Sequence, residues 1–264
     1  MITYPPCKIN IGLNIINKRT DGYHNIESVF YPIPFFDILE INVATAFSFS
    51  SSGLPIHGDK KNNLVVQAYE ILKTKYNIGP VKIHLHKRIP MGAGLGGGSA
   101  DAAHTITMLN QLFDLKLSTS LMETIALSLG SDCPFFIEDR AKFVTGRGES
   151  MTPSPIDLKG YYLYLINPGV HVSTKAAYAA INYAPNPDKL EVAIQVEDWK
   201  NKVYNQFELP IFKLHPSIRK IKETLYNMGA VYASMSGTGS TVYGLFKTEP
   251  KLLELYNFEK IRLL

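Results

Sequence analysis

Cysteine is scarce in this chain. Only Cys7 and Cys133 occur among 264 residues, far apart and in no metal-ligand spacing. They read as reduced thiols of a cytosolic protein. Long apolar runs are missing too. No stretch approaches the roughly 18 consecutive apolar residues of a membrane span. The opening Ile2-Thr3-Tyr4-Pro5-Pro6 shows no basic region followed by an apolar run, so neither a signal peptide nor a membrane anchor is expected. Charge is modest: the net value is +4, and no dense Lys/Arg stripe appears. That balance suits an anionic small molecule and is too diffuse for nucleic acid. Internal repeats and low-complexity tracts are absent. Apolar residues at 45% and charged residues at 19% are ordinary for a globular protein, long enough for one large domain or two small ones.

Glycine, by contrast, is concentrated. From Pro90 to Gly98, five of nine residues are glycine, and Ser99-Ala100-Asp101-Ala102-Ala103 follows directly. So many glycines cost backbone entropy and leave no side chains to pack. The return is close backbone approach to a ligand. Successive bare N–H groups at a helix start make a positive cradle for phosphate. A flexible linker is the plainer reading, but strongly patterned elements flank the loop on both sides.

Periodicity assigns the rest. Residues 7–16 and 25–32 alternate as strands around the Asp21-Gly22 turn. Residues 38–43 read as a strand, with 45–52 as its expected partner. Residues 62–76 have helical spacing, capped by Asn62 or Asn63. Residues 81–86 form a strand that leads through Lys87 into the glycine loop. Helices are expected over 100–113 and 120–129. Ser120 and Glu123 have capping-box spacing in the latter, and Gly130 is placed to end it. A hairpin turns at Gly146-Arg147-Gly148. Pro153-Ser154-Pro155 is the expected domain boundary. Beyond it come strands at 161–167, 230–235 and 241–246, helices at 175–182 and 217–228, and an unassigned polar stretch at 184–205.

Three phosphate-loop patterns compete. A Walker loop needs Gly-Lys-Ser/Thr, and Gly98-Ser99 lacks the lysine. G-x-G-x-x-G is present at Gly92, Gly94 and Gly97, but the parallel strand and acidic residue of a dinucleotide fold do not follow. The third pattern fits. Pro90 to Ala103 resembles the motif P-x-G-x-G-L-G-x-S-x-A of the GHMP small-molecule kinases. Lys8-Ile9-Asn10 with residues 19–24 resembles a first motif of one branch of that family. Residues 129–136 (LGSDCPFF) resemble its GADVPF segment, with Ser131 for the usual alanine and Cys133 for the usual valine. Residues 168–174 (PGVHVST) and 236–240 (SGTGS) resemble its later motifs, all in family order.

The resemblance implies an α/β (α+β) two-domain GHMP kinase fold. Residues 1–154 would form an N-terminal ATP-binding domain of the ribosomal protein S5 domain 2-like type. Residues 155–264 would form a C-terminal α/β domain, with the active-site cleft between the two. It implies ATP and Mg2+ as cofactors, with no side chain singled out as a magnesium ligand. The implied reaction is phosphorylation of the 2-hydroxyl of a cytidyl diphosphate substrate, 4-diphosphocytidyl-2-C-methyl-D-erythritol. Mevalonate, homoserine or an inactive nucleotide-binding module are the alternatives. A cytoplasmic monomer or weak homodimer, without nucleic acid or membrane partners, is expected.

Residue roles follow from the same resemblance. Asp132 would take the substrate hydroxyl's proton; locally it is equally a turn-capping aspartate. Lys8, otherwise a solvent-facing strand lysine, would hold that carboxylate ionised. Asn10 shares its face with Lys8 and would bond the acceptor alcohol or a phosphate. The nucleotide set is Pro90, Met91, Gly92, Ala93, Gly94, Leu95, Gly96, Gly97, Gly98, Ser99 and Ala100, with Lys87 reaching phosphate or adenine and Asn63 beside adenine. Ser99 would bond the β-phosphate or a magnesium-bound oxygen. Tyr23 and Tyr178 would sandwich the cytosine, His24 would bond its edge, and Thr174 would contact ribose or substrate. Each also has a plainer reading, as hairpin flank, helix cap or core tyrosine. Whether residues 236–240 close on substrate or support the first loop is open.

Overall fold

A computed structural model describes residues 1–181, 190, 195–250 and, as backbone, 258–262. Its strands are β1 (Ile2–Thr3), β2 (Pro6–Lys18), β3 (His24–Phe36), β4 (Ile38–Val43), β5 (Ser48–Gly53), β6 (Val81–Lys87), β7 (Lys142–Thr145), β8 (Ser150–Pro153), β9 (Tyr162–Ile166), β10 (Tyr232–Met235), β11 (Val242–Phe246) and β12 (Phe258–Arg262). Its helices are α1 (Leu64–Tyr76), α2 (Gly97–Leu112), α3 (Thr119–Leu127), α4 (Thr174–Ala180), α5 (Trp199–Lys202), α6 (Glu208–Leu214) and α7 (Pro216–Asn227). The chain divides into two compact units. The first holds Met1–Cys7, Phe35–Met91 and Gly96–Arg140; the second holds Lys8–Pro34, Gly92–Leu95 and Ala141–Leu264.

The first unit is built on a sheet of order β1-β4-β6-β5. Strand β6 alternates cleanly: Val81, Ile83, Leu85 and Lys87 are buried, while the residues between them are not. Their apolar members pack with Val65, Ala68, Tyr69 and Leu72 of α1 and with Ala102, Ile106 and Leu109 of α2. That is one stripe from each helix closing on one sheet face. Strand β5 pairs with β6, in parallel, from Ser48↔Lys82 to Gly53↔Lys87. The expected pairing of this segment with 38–43 is therefore corrected: β4 lies between β1 and β6. The sheet is mixed, unlike the doubly wound parallel sheet of a dinucleotide fold.

The second unit carries two sheets, β2-β3-β7-β8 and β10-β11-β9-β12. Tyr164, Ile166, Ala233, Met235, Val242 and Phe246 meet Ile218, Ile221 and Leu225 of α7 in its core. The hairpin at residues 146–148 is present, joining β7 and β8 antiparallel. The Pro153-Ser154-Pro155 segment lies within this unit. Helix α3 is capped by Ser118, whose Oγ accepts from Leu121 N at 3.3 Å, and so its cap lies two residues before the Ser120 of the expected box. Part of the unassigned polar stretch is helical: residues 196–198 form a 3₁₀ turn running into α5, anchored by buried Trp199. Most of the rest, 184–189 and 191–194, lies outside the described residues, as does residue 182 of the expected 175–182 helix.

Candidate active site

In the first unit the glycine run opens α2. Gly96 is the N-cap, with φ 71° and no side-chain cap hydrogen bond. Helices α1, α3 and α4 each begin with a capping side chain, from Asn63, Ser118 and Ser173. Helix α2 thus starts without a side-chain acceptor on its first-turn amides, at the positive end of the helix. A Cβ on Gly97 would stand 2.8 Å from Ile89 Cγ2 and 2.9 Å from Lys87 Nζ, so packing demands glycine there. A Cβ on Gly98 would meet nothing within 4 Å. Among the described residues nothing requires a bare Cα at Gly98, and room beside the first-turn amides fits an approaching anion.

Lys87 does not face that space. Its side chain is 1% exposed, and its ammonium is bonded to Asp37 Oδ2 and, at 2.9 Å, to Asp101 Oδ2. The ammonium expected near phosphate or adenine is taken up here by two carboxylates. The period-2 burial of β6 turns Lys87 inward with Val81, Ile83 and Leu85, and two buried carboxylates meet it there. Asp37 Oδ1 accepts from Arg88 N at 2.6 Å and Ile89 N at 2.8 Å, fixing the approach to the loop. Asn63 is the N-cap of α1, its Oδ1 accepting from Val65 N at 2.9 Å. The plainer reading of that residue is what the structure displays.

Asp132 precedes the 3₁₀ turn Cys133–Ile137 and makes no side-chain cap hydrogen bond to it. Cys133, Pro134, Phe135 and Phe136 are all buried and anchor the segment, while Asp132 itself is half-buried. The Cys133 thiol is hydrogen-bonded with the Ser99 hydroxyl, and burial pushes the thiol up to about 11. The aspartate's segment and the first turn of α2 are therefore tied together.

In the second unit, Gly92–Leu95 packs on residues 236–241. Ser236 Oγ donates to Gly94 O at 2.7 Å and accepts from Asn10 N at 3.2 Å. Thr241 N donates to Ala93 O at 3.2 Å. Asn205, buried and outside every sequence motif, donates to Met235 O and Gly237 O, both at 2.8 Å. The later glycine segment therefore supports the earlier loop. Lys8 is buried, its ammonium 4.4 Å from the centre of the Phe30 ring and bonded to Asn10 Oδ1. The solvent-facing reading of Lys8 does not hold. Asn10 Nδ2 donates to Ser28 Oγ at 2.9 Å, which fixes the orientation of its amide.

His24 stacks on Tyr178, with centroids 5.0 Å apart, and Phe207 meets Tyr178 edge-on at 4.8 Å. Tyr23 stands apart, 58% exposed, with the Arg147 guanidinium 4.8 Å over its ring. Burial and Lys18 hold His24 below the usual imidazole range. Neutral near pH 7, it offers one donor and one acceptor, the pair needed to bond a base edge. Thr174 opens α4, its Oγ1 3.4 Å from Thr238 Oγ1.

Among the described residues no helix is long and apolar enough to cross a membrane. Residues 63–139 match the family described as GHMP kinases N terminal domain, and residues 191–258 match GHMP kinases C terminal. A 4-diphosphocytidyl-2-C-methyl-D-erythritol kinase of Cytophaga hutchinsonii is 48% identical over 95% of this chain and 94% of its own length. The enzyme of the same name from Azobacteroides pseudotrichonymphae is 48% identical over 98% of both. A crystal structure of 4-(cytidine 5'-diphospho)-2C-methyl-D-erythritol kinase superposes with a TM-score of 0.80 at 30% identity, covering 93% of this chain and 90% of that one. The Methanococcus jannaschii mevalonate kinase, at 14% identity and a TM-score of 0.72, shares the fold. With its glycine-rich turn into α2 and its near-full-length relatives at 48% identity, the chain belongs to the 4-diphosphocytidyl-2-C-methyl-D-erythritol kinase family of the GHMP kinases.

Proposed function

We propose that this chain transfers the γ-phosphoryl group of ATP to the 2-hydroxyl of 4-diphosphocytidyl-2-C-methyl-D-erythritol, a step of the non-mevalonate route to isoprenoid precursors. The observation that carries the reading is 48% identity with kinases of that name across nearly the full length of both chains. The amides of residues 92–100 hold the phosphates. Magnesium, when bound with ATP, offsets the charge of the triphosphate. Asp132 accepts the proton of the attacking hydroxyl, and Lys8, oriented by Asn10, favours the ionised carboxylate. Tyr23, His24, Tyr178 and Thr174 meet the cytidyl substrate. An ADP-release assay over the cytidyl alcohol, mevalonate and homoserine tests the assignment. Turnover of the cytidyl substrate alone is expected. Turnover of mevalonate without it would overturn the reading, and no turnover of any alcohol would favour an inactive nucleotide-binding module.

The aromatic residues separate by environment. Tyr23→Ala is expected to raise KM for the cytidyl substrate between about fivefold and about a hundredfold, the range of one lost base-stacking face. Its exposure means that the melting temperature should hold. Tyr178→Ala should raise the same KM and also lower the melting temperature, because Phe207 and His24 pack on that ring. KM for ATP should stay put in both. Equal losses for both ligands would make the tyrosines structural.

A further inference from the structure

One buried cluster lies directly beneath the loop and has no role in the chemistry above. Lys87 Nζ is 2.9 Å from the position that a Cβ on Gly97 would take, at the first residue of α2. Two carboxylates share this one ammonium. Asp37 uses both oxygens, on Lys87 and on the amides of Arg88 and Ile89. Asp101 uses Oδ2; its Oδ1 is buried and has no hydrogen-bond partner among the described residues. One cation against two carboxylates leaves a net negative charge if both acids are ionised. A buried negative charge under an anion cradle opposes what the cradle binds.

We propose that Asp101 is a proton-linked positioning residue of the phosphate loop: neutral, it leaves the Lys87 cluster without net charge beneath α2, and ionised, it places a negative charge there that weakens the hold on polyphosphate. This rests on reading the loop as the ATP site. Other charged groups of the neighbouring elements are bonded to other partners or reach solvent in part. His104, one turn along α2, bonds Thr3 and Asp139 at 3.1 and 2.9 Å. Glu70, Lys73 and Lys75 of α1 are exposed, Glu40 of β4 and Glu123 of α3 are half-exposed, and Cys133 is a neutral thiol. Asp132, half-buried, flanks Cys133.

Burial raises the Asp101 carboxyl to about 7, with Lys87 opposing the rise and Asp37 adding to it. The unfolded chain keeps an ordinary carboxylate near 4. Between those values the folded protein binds the extra proton, so this contribution to stability falls as pH rises through the window and is lost above about 7. Polyphosphate, being negative, favours the neutral acid. Binding near pH 7.5 should therefore take up a proton at Asp101.

The test uses the whole protein and a non-hydrolysable ATP analogue with magnesium, titrated calorimetrically from pH 6.0 to 8.5 in buffers of differing ionisation enthalpy. Wild type should lose affinity as pH rises, relative to Asp101→Asn, by roughly three- to tenfold, the scale of one partly screened charge at about 10 Å. Proton uptake at pH 7.5 should be larger in wild type than in Asp101→Asn. The melting temperature of the variant should also fall less between pH 6 and 8. Equal pH slopes and equal proton uptake in the two proteins would overturn the inference. If Asp101→Asn does not fold, infrared difference spectra of aspartate-labelled wild type decide. A protonated carboxyl band that titrates near pH 7, and persists to higher pH with the analogue, supports the proposal; no such band overturns it. Absence of analogue binding at every pH is a separate result and would overturn the ATP assignment itself.

Discussion

Asp132→Asn is expected to lower kcat by about 10²–10⁴-fold, the usual worth of a general base. Folding and both ligand affinities should remain near wild type. The side chain makes no cap hydrogen bond to the turn Cys133–Ile137, and the buried run Cys133–Phe136 anchors the segment. Asparagine has the shape of aspartate and cannot accept the proton. Phosphoryl transfer asks little other covalent chemistry of a protein, so the loss should appear in kcat and not in KM. Lys8→Ala should also lower kcat, and the two losses should be non-additive if Lys8 acts through that carboxylate. Lys8 also rests on Phe30 and Asn10, so its variant needs a melting curve beside the kinetics. A near-wild-type kcat in Asp132→Asn would remove the residue from the mechanism. A double mutant whose loss is the product of the single losses would uncouple the pair.

Gly94→Ala should disable the loop from the other side. Gly94 has φ 79°, where an L-residue costs about 1–2 kcal/mol. A Cβ there would overlap the Ser236 carbonyl oxygen and stand 2.9 Å from its carbon. The obstacle is backbone, so no rotamer relieves it. The loop must shift and give up the Ser236–Gly94 and Thr241–Ala93 hydrogen bonds. Displacement of about 1 Å at reacting groups costs on the order of 10²-fold in rate, and kcat/KM for ATP should fall at least that far. The melting temperature should drop by roughly 5 °C or more for a chain of this size. Gly98→Ala is the contrasting variant. Its methyl enters open space, so it should keep the wild-type melting temperature and raise only KM for ATP. Wild-type behaviour of Gly94→Ala would refute the steric account.

Much of this was legible because local periodicity and motif order carry it. The alternation of β2, β4 and β6, the glycine run and the 129–136 segment each announce themselves within about a dozen residues. What escaped is non-local. The parallel pairing of β5 with β6 depends on a crossover through α1 that no local pattern encodes. Asp37 and Asp101 look like ordinary polar residues until folding buries them on Lys87. A signal existed, since Lys87 falls in phase with Val81, Ile83 and Leu85 and so had to turn inward. Asn205 offers no such signal: its use depends on carbonyls of Met235 and Gly237, some 30 positions away. The aromatic set was read by type, whereas its pairing of His24 with Tyr178 follows from packing.

The contact between Ser236 and Gly94 also has a bearing on how the protein is made. It joins residues 142 positions apart. During synthesis the whole phosphate loop leaves the ribosome well before its supporting wall does. Until β10 and the turn after it emerge, nothing selects the conformation of Gly94 or accepts the hydroxyl bond at its carbonyl. Contacts of such sequence separation form late, because the chain must first close a long loop. A nascent chain that stops short of residue 236 thus carries every glycine of the loop yet lacks half of its mould, and the loop takes its final shape only after β10 and the turn that follows it have been made.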